Sequence, residues 1–508
     1  MGPYVKGFLE PWRFLFFVLG AVYWCTLFVT SSPIGVPNLR ECQLATDRSV
    51  VGPLTTVQLN CCLPIPPGNV IDFNFGKYKT TTKRVRMPAH KVGTDYIAKY
   101  RRAYELMRSL PQDDPRSFAT QANVHCAFCN GAYKQAGDDS VLLQVHFSWL
   151  FLACHRWYLY FHERILASLV GDPTFSLVFW NWDDQRNGGN VMPAMFLPTD
   201  SSLYDAKRNQ ANLPPTLVKL VPGITGNNSE IINQNLNAIT GTDLSNSTVL
   251  SAPLGGSIEN GVHNAIHFWT GDITQPLIQD MGTFNTAARD PIFYAHHSNV
   301  DRLWDKWRYG LPGGPRSDHS DPDFLNAEFY FYDENGSLVK VKVSDALDSS
   351  KLGYGYPEVA ADELWINYSP APITSGSAVP AASASGVPFV GGAPQHGTIS
   401  LGSGLTAIVA APGNTSRVKK VTRDSFVSVL VFVNLPSANS STATSSAEYV
   451  GTYNIIPAPG KTLTANVKLE IGDNLRRIGI QNEAEVVLSL VVKGNQPITI
   501  QGLLIRYE

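Results

Sequence analysis

Eight of the 11 histidines in this 508-residue chain fall between residues 125 and 297. They form two groups: His125, His146, His155 and His162, then His263, His267, His296 and His297. A single buried histidine is usually a core residue with its nitrogens satisfied. Two clusters among apolar neighbours point instead to metal ligation by neutral imidazole. His263 and His267 are spaced i, i+4, about 400° around a helix, so both rings project from one face. His297 can come from another helix to complete three nitrogens. An all-imidazole set suits copper, zinc, iron or nickel, and fits a copper pair that binds dioxygen. In the first group His146 and His155 lie nine residues apart, on opposite faces of a straight helix. They share a metal only if His146 precedes the helix, with Phe147-Ser148-Trp149 as its start region. His125 joins from an earlier segment, and spacing does not exclude His162. Cys126-Ala127-Phe128-Cys129 reads on its own as a redox pair or half a zinc site, but no second CxxC accompanies it.

These ligands need rigid elements behind them. Tyr96, Ile97, Tyr100, Ala103, Tyr104 and Met107 recur at helical steps within Thr94–Leu110. Helical patterns also run over Phe147–Leu169 and Asp290–Trp307. Residues 90–310 therefore read as a mainly α core, a four-helix bundle with long loops and few strands. The Pro-rich stretch from Pro33 to Pro88 reads as a loop wrapped over it. Phe329–Tyr332 and Leu338–Val343 flank Asn335-Gly336 and read as a hairpin, within a small β region at about 325–360. Residues 370–399 are rich in Ala, Ser, Gly and Pro, the composition of a flexible, protease-sensitive linker. Strand-like runs at Ser428–Asn434, Glu448–Ile456, Val467–Ile471 and Ala484–Val492 make residues 400–508 a small all-β sandwich.

The bulk composition fits this reading. Hydrophobic residues form 44% of the chain and charged residues 16%, which describes a globular protein. A formal net charge of −2 gives no reason to invoke nucleic acid or an anionic membrane. Lys6 and Arg13 precede an apolar run from Phe14 to Val29, with Ser31 and Ser32 after it. Residues 1–32 thus read as a secretory signal, with an uncleaved anchor as the alternative and no membrane partner after removal. Sequons at Asn227, Asn246, Asn335, Asn367, Asn414 and Asn439 agree with lumenal exposure. With Cys25 inside the signal, Cys42, Cys61, Cys62, Cys126, Cys129 and Cys154 remain, and an oxidising compartment favours disulfides whose pairing spacing does not fix.

The sequence around the histidines resembles a known family. His125-Cys126-Ala127-Phe128-Cys129-Asn130-Gly131, Gln144-Val145-His146-Phe147, His155-Arg156-Trp157-Tyr158-Leu159-Tyr160 and Phe179-Trp180-Asn181-Trp182-Asp183 are similar to the first copper region of plant polyphenol oxidases, the type-3 dicopper tyrosinases and catechol oxidases. Gly261-Val262-His263-Asn264-Ala265-Ile266-His267 and the run from Asp290 to Trp304 resemble the second. The likeness extends from about Cys42 to the C-terminus, more loosely beyond the copper segments.

The resemblance implies that His125, His146 and His155 bind one copper and His263, His267 and His297 the other. It places the ligand at the second of His296-His297; periodicity agrees, since His296 aligns with apolar Val300, Leu303 and Trp307. His162 is then a bystander. It further implies a Cys129–His146 thioether and disulfides Cys42–Cys62 and Cys61–Cys126. Cys154 is left as the odd thiol, where relatives carry an aromatic residue or Pro. Glu259 and Asn264 would hold a proton-accepting water, Phe284 would cover the first copper, and Phe268 would either line the substrate pocket or simply pack. The implied activity is oxidation of o-diphenols to o-quinones with reduction of O2 to water, extending to monophenol hydroxylation. The rival readings are a dicopper oxygen carrier without turnover and a zinc hydrolase. The C-terminal domain, residues 400–508, is expected to shield the catalytic domain, residues 33–369, until a protease cuts the linker. Two departures stand out. No Arg-Arg pair precedes the apolar run, which favours a vacuolar or extracellular destination over the plastid thylakoid lumen. Ser428-Val429-Leu430-Val431 also replaces the usual Lys-Phe-Asp-Val.

Overall fold

The computed structural model describes residues 34–508, apart from residues 50–52, 54, 79–82, 130, 137, 242–257, 312–317, 319, 359–362, 373–387, 390–394, 401–405, 410–420, 423–424, 458–461, 464–466, 481–484, 494–497, 500–503 and 507–508. The signal segment and most of the linker lie outside the described residues, as do the sequons at Asn246 and Asn414. No helix among the described residues is long and apolar enough to cross a membrane.

Helix α1 (Thr94–Ser109) buries Tyr100, Ala103, Tyr104 and Met107, the stripe its periodicity marks out. Helix α2 is Phe118–Cys129 and α3 is Phe151–Leu169. Nearly every residue of α3 is buried, the signature of a helix packed on all sides. It begins later than its pattern suggests. Phe147 has φ 60°, a left-handed conformation that breaks the helix path. The Ser148 hydroxyl then accepts the Leu150 N–H at 3.2 Å and donates to Val145 O at 2.7 Å, closing a turn before Phe151. Helix α4 (Asn228–Gly241) follows. A π-helical turn, Glu259–His263, leads into α5 (Asn264–Thr270), and α6 spans Ile292–Tyr309.

Arginine–carboxylate pairs fix the rotation of α3 and α6. Asp301 accepts from Arg156 at 2.6 Å and Arg86 at 3.1 Å. Glu163 accepts from Arg86 at 2.8 Å and Arg84 at 2.9 Å. All five side chains are buried. Such pairs add little over an apolar core, but losing one partner strands a buried charge. Arg156 follows His155, and Asp301 lies one turn after His297, so the network sits behind the two rings.

The strands are peripheral to the helices. β1 (Ala45–Arg48) pairs antiparallel with β2 (Thr56–Leu59) in the N-terminal segment. β3 (Ile71–Asp72) extends the hairpin of β4 (Glu328–Tyr332) and β5 (Leu338–Lys342). Gly336 at its turn has φ 77°, which suits glycine. The C-terminal sheet runs in the order β6 (Gln395–Ser400), β9 (Glu485–Lys493), β7 (Val427–Val433), β8 (Tyr449–Ile455). A second, three-stranded sheet involves Thr406–Val409, Val467–Glu470 and Leu504–Arg506. β7 is buried on both faces. Val427, Val429, Val431 and Val433 pack within the β domain. Leu430 and Phe432 join the helical core instead. Period-2 alternation thus welds this sheet to the helices.

Candidate metal centre

His125 comes from α2, His146 from the loop before α3, and His155 from α3. His263 ends the π turn, His267 lies on α5, and His297 on α6. The structure draws them into two groups. His125, Cys129, His146 and His155 offer ligand atoms all within 4.8 Å of one another, and so do His263, His267, His296 and His297. The groups adjoin: the His155 and His297 rings stack with centroids 4.3 Å apart.

The hydrogen bonds orient the rings for ligation. His125 Nδ1 donates to Phe284 O at 2.9 Å, His155 Nδ1 to Phe151 O at 2.8 Å, His263 Nδ1 to Glu259 O at 3.1 Å, and His267 Nδ1 to Met281 O at 2.8 Å. A carbonyl can only accept, so each Nδ1 carries the proton and each Nε2 presents a lone pair. His146 Nδ1 faces Gln144 Oε1 at 3.3 Å. The Nε2 atoms of His125, His146 and His155 are buried without a hydrogen-bond partner. His267 Nε2 lies 3.1 Å from His263 Nε2 and 3.3 Å from His297 Nε2. Two lone pairs at that distance repel unless a cation lies between them. Two tetrahedral metal–nitrogen bonds of about 2 Å hold their nitrogens about 3.3 Å apart, so the site fits a bound metal. Burial, then neighbouring imidazoles, push these histidines far below their usual range; burial takes His155 to about 3 and His267 to about 4. Neutral imidazole is the ligating form.

His296 behaves differently from His297. Its Nδ1 accepts the Trp182 indole N–H at 3.1 Å, so its ring is tethered to Trp182. His162 lies away from both groups, with its Nε2 at 3.1 Å from the Tyr104 hydroxyl.

The residues around the rings are equally specific. Glu259 is fully buried and accepts the Phe147 N–H at 2.7 Å, tying the π turn to the loop that carries His146. Nothing in the local pattern announces this pairing across 112 residues. Asn264 Oδ1 lies 3.0 Å from His263 Nδ1, and its amide donates to Asn454 O at 2.8 Å. Asn454 returns the bond, donating to Gly261 O at 2.9 Å. Phe284 stacks on His146 with centroids 4.1 Å apart. Phe268 stacks on Phe426 of the C-terminal segment at 3.6 Å. Sequence reasoning missed Asn454, Phe426, Trp182 and Gln144 as partners of the site, and no spacing marks them.

Cys42–Cys62 and Cys61–Cys126 form disulfides, so Cys126 cannot take part in a CxxC redox pair. Cys129 and Cys154 are buried outside any disulfide. Burial raises both thiols, which leaves Cys154 the character of a small core residue.

Residues 115–309 match the common central domain of tyrosinase, residues 318–371 the polyphenol oxidase middle domain, and residues 418–507 the chloroplastic polyphenol oxidase C-terminal domain. The chain is 40% identical to a chloroplastic polyphenol oxidase of Malus domestica over 92% of its own length and 83% of the relative's. It belongs to the polyphenol oxidase family. This polyphenol oxidase is also 46% identical to aureusidin synthase of Antirrhinum majus, in a match covering 68% of its own length and 63% of that relative's. A recombinant latent aurone synthase, itself a polyphenol oxidase, superposes with a TM-score of 0.82 at 32% identity, covering 94% of this chain and 99% of that one. The polyphenol oxidase is therefore a copper oxidoreductase, and the two buried histidine groups fit the two coppers of its dinuclear centre.

Proposed function

We propose that this polyphenol oxidase converts o-diphenols to o-quinones while O2 is reduced to water, and hydroxylates monophenols at the same centre. The observation that carries the reading is the convergence of six neutral imidazoles, most with Nδ1 anchored and Nε2 turned inward. His125, His146 and His155 would hold one copper and His263, His267 and His297 the other. Copper supplies the electron transfer with dioxygen. A Cys129–His146 thioether would keep the one ligand outside a helix in place. Family membership favours turnover over oxygen storage.

Protein groups govern the proton and the access. Free phenols titrate near ~10, so a monophenol needs a base on binding. Glu259 and Asn264 supply it through a held water, the carboxylate sharing its charge with the Phe147 N–H. Phe284 covers His146, and Phe268 lines the entrance. If Asn264→Leu leaves the ratio of monophenol to diphenol rates unchanged, the base assignment is wrong.

In the full chain the entrance is covered. Phe426 lies on Phe268, and Asn454 occupies the Asn264 amide that the water would need. Cleavage within residues 370–399 would release residues 400–508, uncover the pocket and free Asn264 together. The solved aurone synthase relative is described as latent, which supports activation by processing. Copper content and oxygen uptake with a catechol, then a monophenol, before and after limited proteolysis, test the whole reading. Two coppers with quinone formation that rises on clipping is the expected result. Reversible O2 binding without turnover after clipping would return the carrier reading.

The relatives named chloroplastic fit a plastid lumen. The apolar run from Phe14 to Val29 supports the secretory route, to vacuole or cell exterior. Fusing residues 1–40 to a fluorescent protein decides between them.

A further inference from the structure

His162 and a file of tyrosines lie behind the first histidine group, and the proposed mechanism uses none of them. Tyr158 stacks on His125 with centroids 6.5 Å apart and planes 18° apart. Tyr294 follows Tyr158 at 5.6 Å, and their hydroxyls are 2.9 Å apart. Tyr104 lies 6.2 Å from Tyr294, Tyr100 lies 5.3 Å from Tyr104, and Tyr96 lies 6.4 Å from Tyr100. The inner four rings are fully buried, whereas Tyr96 in the first turns of α1 is partly exposed. The file therefore runs unbroken from a metal-site histidine to solvent.

We infer that Tyr158, Tyr294, Tyr104, Tyr100 and Tyr96 form an electron relay that carries an oxidising equivalent from the copper site to the surface, with His162 as its proton acceptor.

Three observations support this. Tunnelling falls off exponentially with distance, so several short steps between oxidisable rings outrun one long jump. Every step here joins neighbouring rings. Second, phenylalanine would pack in this dry core without a hydroxyl to satisfy, yet tyrosine stands at each step. Third, an oxidised tyrosine must shed its phenolic proton, and a neutral imidazole waits for it. The Tyr104 hydroxyl lies 3.1 Å from His162 Nε2, and the His162 ring lies flat on Tyr294 at 3.6 Å and 6°. Burial keeps His162 unprotonated. Tyr158 donates to the Gln121 carbonyl, so Tyr294 is the donor in the bond between the two hydroxyls.

The need arises from the activity. An enzyme that activates dioxygen is left with an oxidant at its ligands whenever the phenol is missing or leaves early. The site then takes one electron through Tyr158 and Tyr294 from Tyr104. Tyr104 becomes a neutral radical as its proton moves to His162 Nε2. Tyr100 and Tyr96 pass in one electron from a reductant at the surface, such as a phenol or ascorbate, and His162 returns the proton. The net change is one electron lost by that reductant, whose proton passes to solvent, and one electron gained at the copper site. The file thereby protects the ligands from self-oxidation.

The inference rests on the copper oxidase reading, and the experiment separates the two. Copper-loaded, clipped wild type, Tyr294→Phe and Tyr104→Phe would be compared with Tyr96→Phe, whose site at the rim tolerates change. Three quantities are read: initial catechol rate, turnovers completed before inactivation, and the tyrosyl radical trapped by freeze-quench EPR after hydrogen peroxide without phenol. Peptide mass spectrometry then locates oxidised residues. The relay predicts unchanged initial rates, a several-fold fall in turnovers, loss or displacement of the radical, and oxidation moved from Tyr96 to the metal-site histidines. Turnovers and radical signal equal to wild type in all three variants overturn it. No catechol oxidation by wild type would instead overturn the oxidase reading.

Discussion

Removing the copper should make this protein acid-sensitive in a way its loaded form is not. All eight clustered histidines, His162 and His296 included, are at most 4% exposed. In the unfolded chain each titrates near ~6.5, whereas in the folded protein burial lowers every one. Below pH 6.5 the unfolded state therefore binds more protons. The stability these residues contribute is fully present above that pH and is lost as pH falls toward the folded values, about 4 for His267 and about 3 for His155. From pH 6.5 to 5 His155 and His267 each lose about 1.6 kcal/mol, about 3 kcal/mol together, and the other six add to the loss in the same direction. The sum is a large part of the about 5–15 kcal/mol that holds a typical domain folded. The copper-free protein should unfold, or open at the site, before pH 5. In the loaded protein the six proposed ligands would be held deprotonated by metal, and the dependence should stay shallow until copper leaves. Urea unfolding of stripped and loaded protein between pH 7.5 and 5 measures this, with tryptophan fluorescence as the readout. A stripped-protein slope of no more than about 1.4 kcal/mol per pH unit, the value for one proton, would refute the reasoning.

Other perturbations test other links. Asp301→Asn leaves Arg86 and Arg156 without their shared carboxylate and should destabilise by about 3–5 kcal/mol in chemical denaturation, with weaker copper retention because α3 and α6 lose their register. Replacing Cys61 and Cys126 by Ser opens a loop of 65 residues and should cost about 4 kcal/mol, against about 3 kcal/mol for the 20-residue Cys42–Cys62 loop, compared by thermal melts. Asn454→Ala removes the bond to Gly261 O but leaves its own carbonyl, so full-length protein should show partial activity toward catechol without clipping. After clipping, Asn454→Ala should match wild type; a persistent difference would mean that Asn454 acts other than through the cover.

The sequence alone determined what could be read from spacing over a few residues. His263 and His267 had to share a face because four residues make about one helical turn. The Tyr100, Ala103, Tyr104, Met107 stripe had to be an inner face, and Asn335-Gly336 had to turn. His146 could join His155 only from outside a helix, and the left-handed Phe147 places it there. The helix start at Phe151 was less legible, because the break depends on a turn stabilised by the Ser148 hydroxyl rather than on an obvious stop residue. The π turn at Glu259–His263 was also hidden, since apolar periodicity averages over one inserted residue. Tertiary structure decided what long-range packing decides: that Glu259 reaches the Phe147 amide, that Trp182 tethers His296, and that the sheet containing β7 joins two cores at once. It also decided that Asn454 and Phe426 close over Asn264 and Phe268, and that His162 meets Tyr104 and Tyr294. The physical reason is one of range. Backbone periodicity fixes which side chains share an element's face, but which distant face they meet depends on the whole chain burying its apolar surface at once.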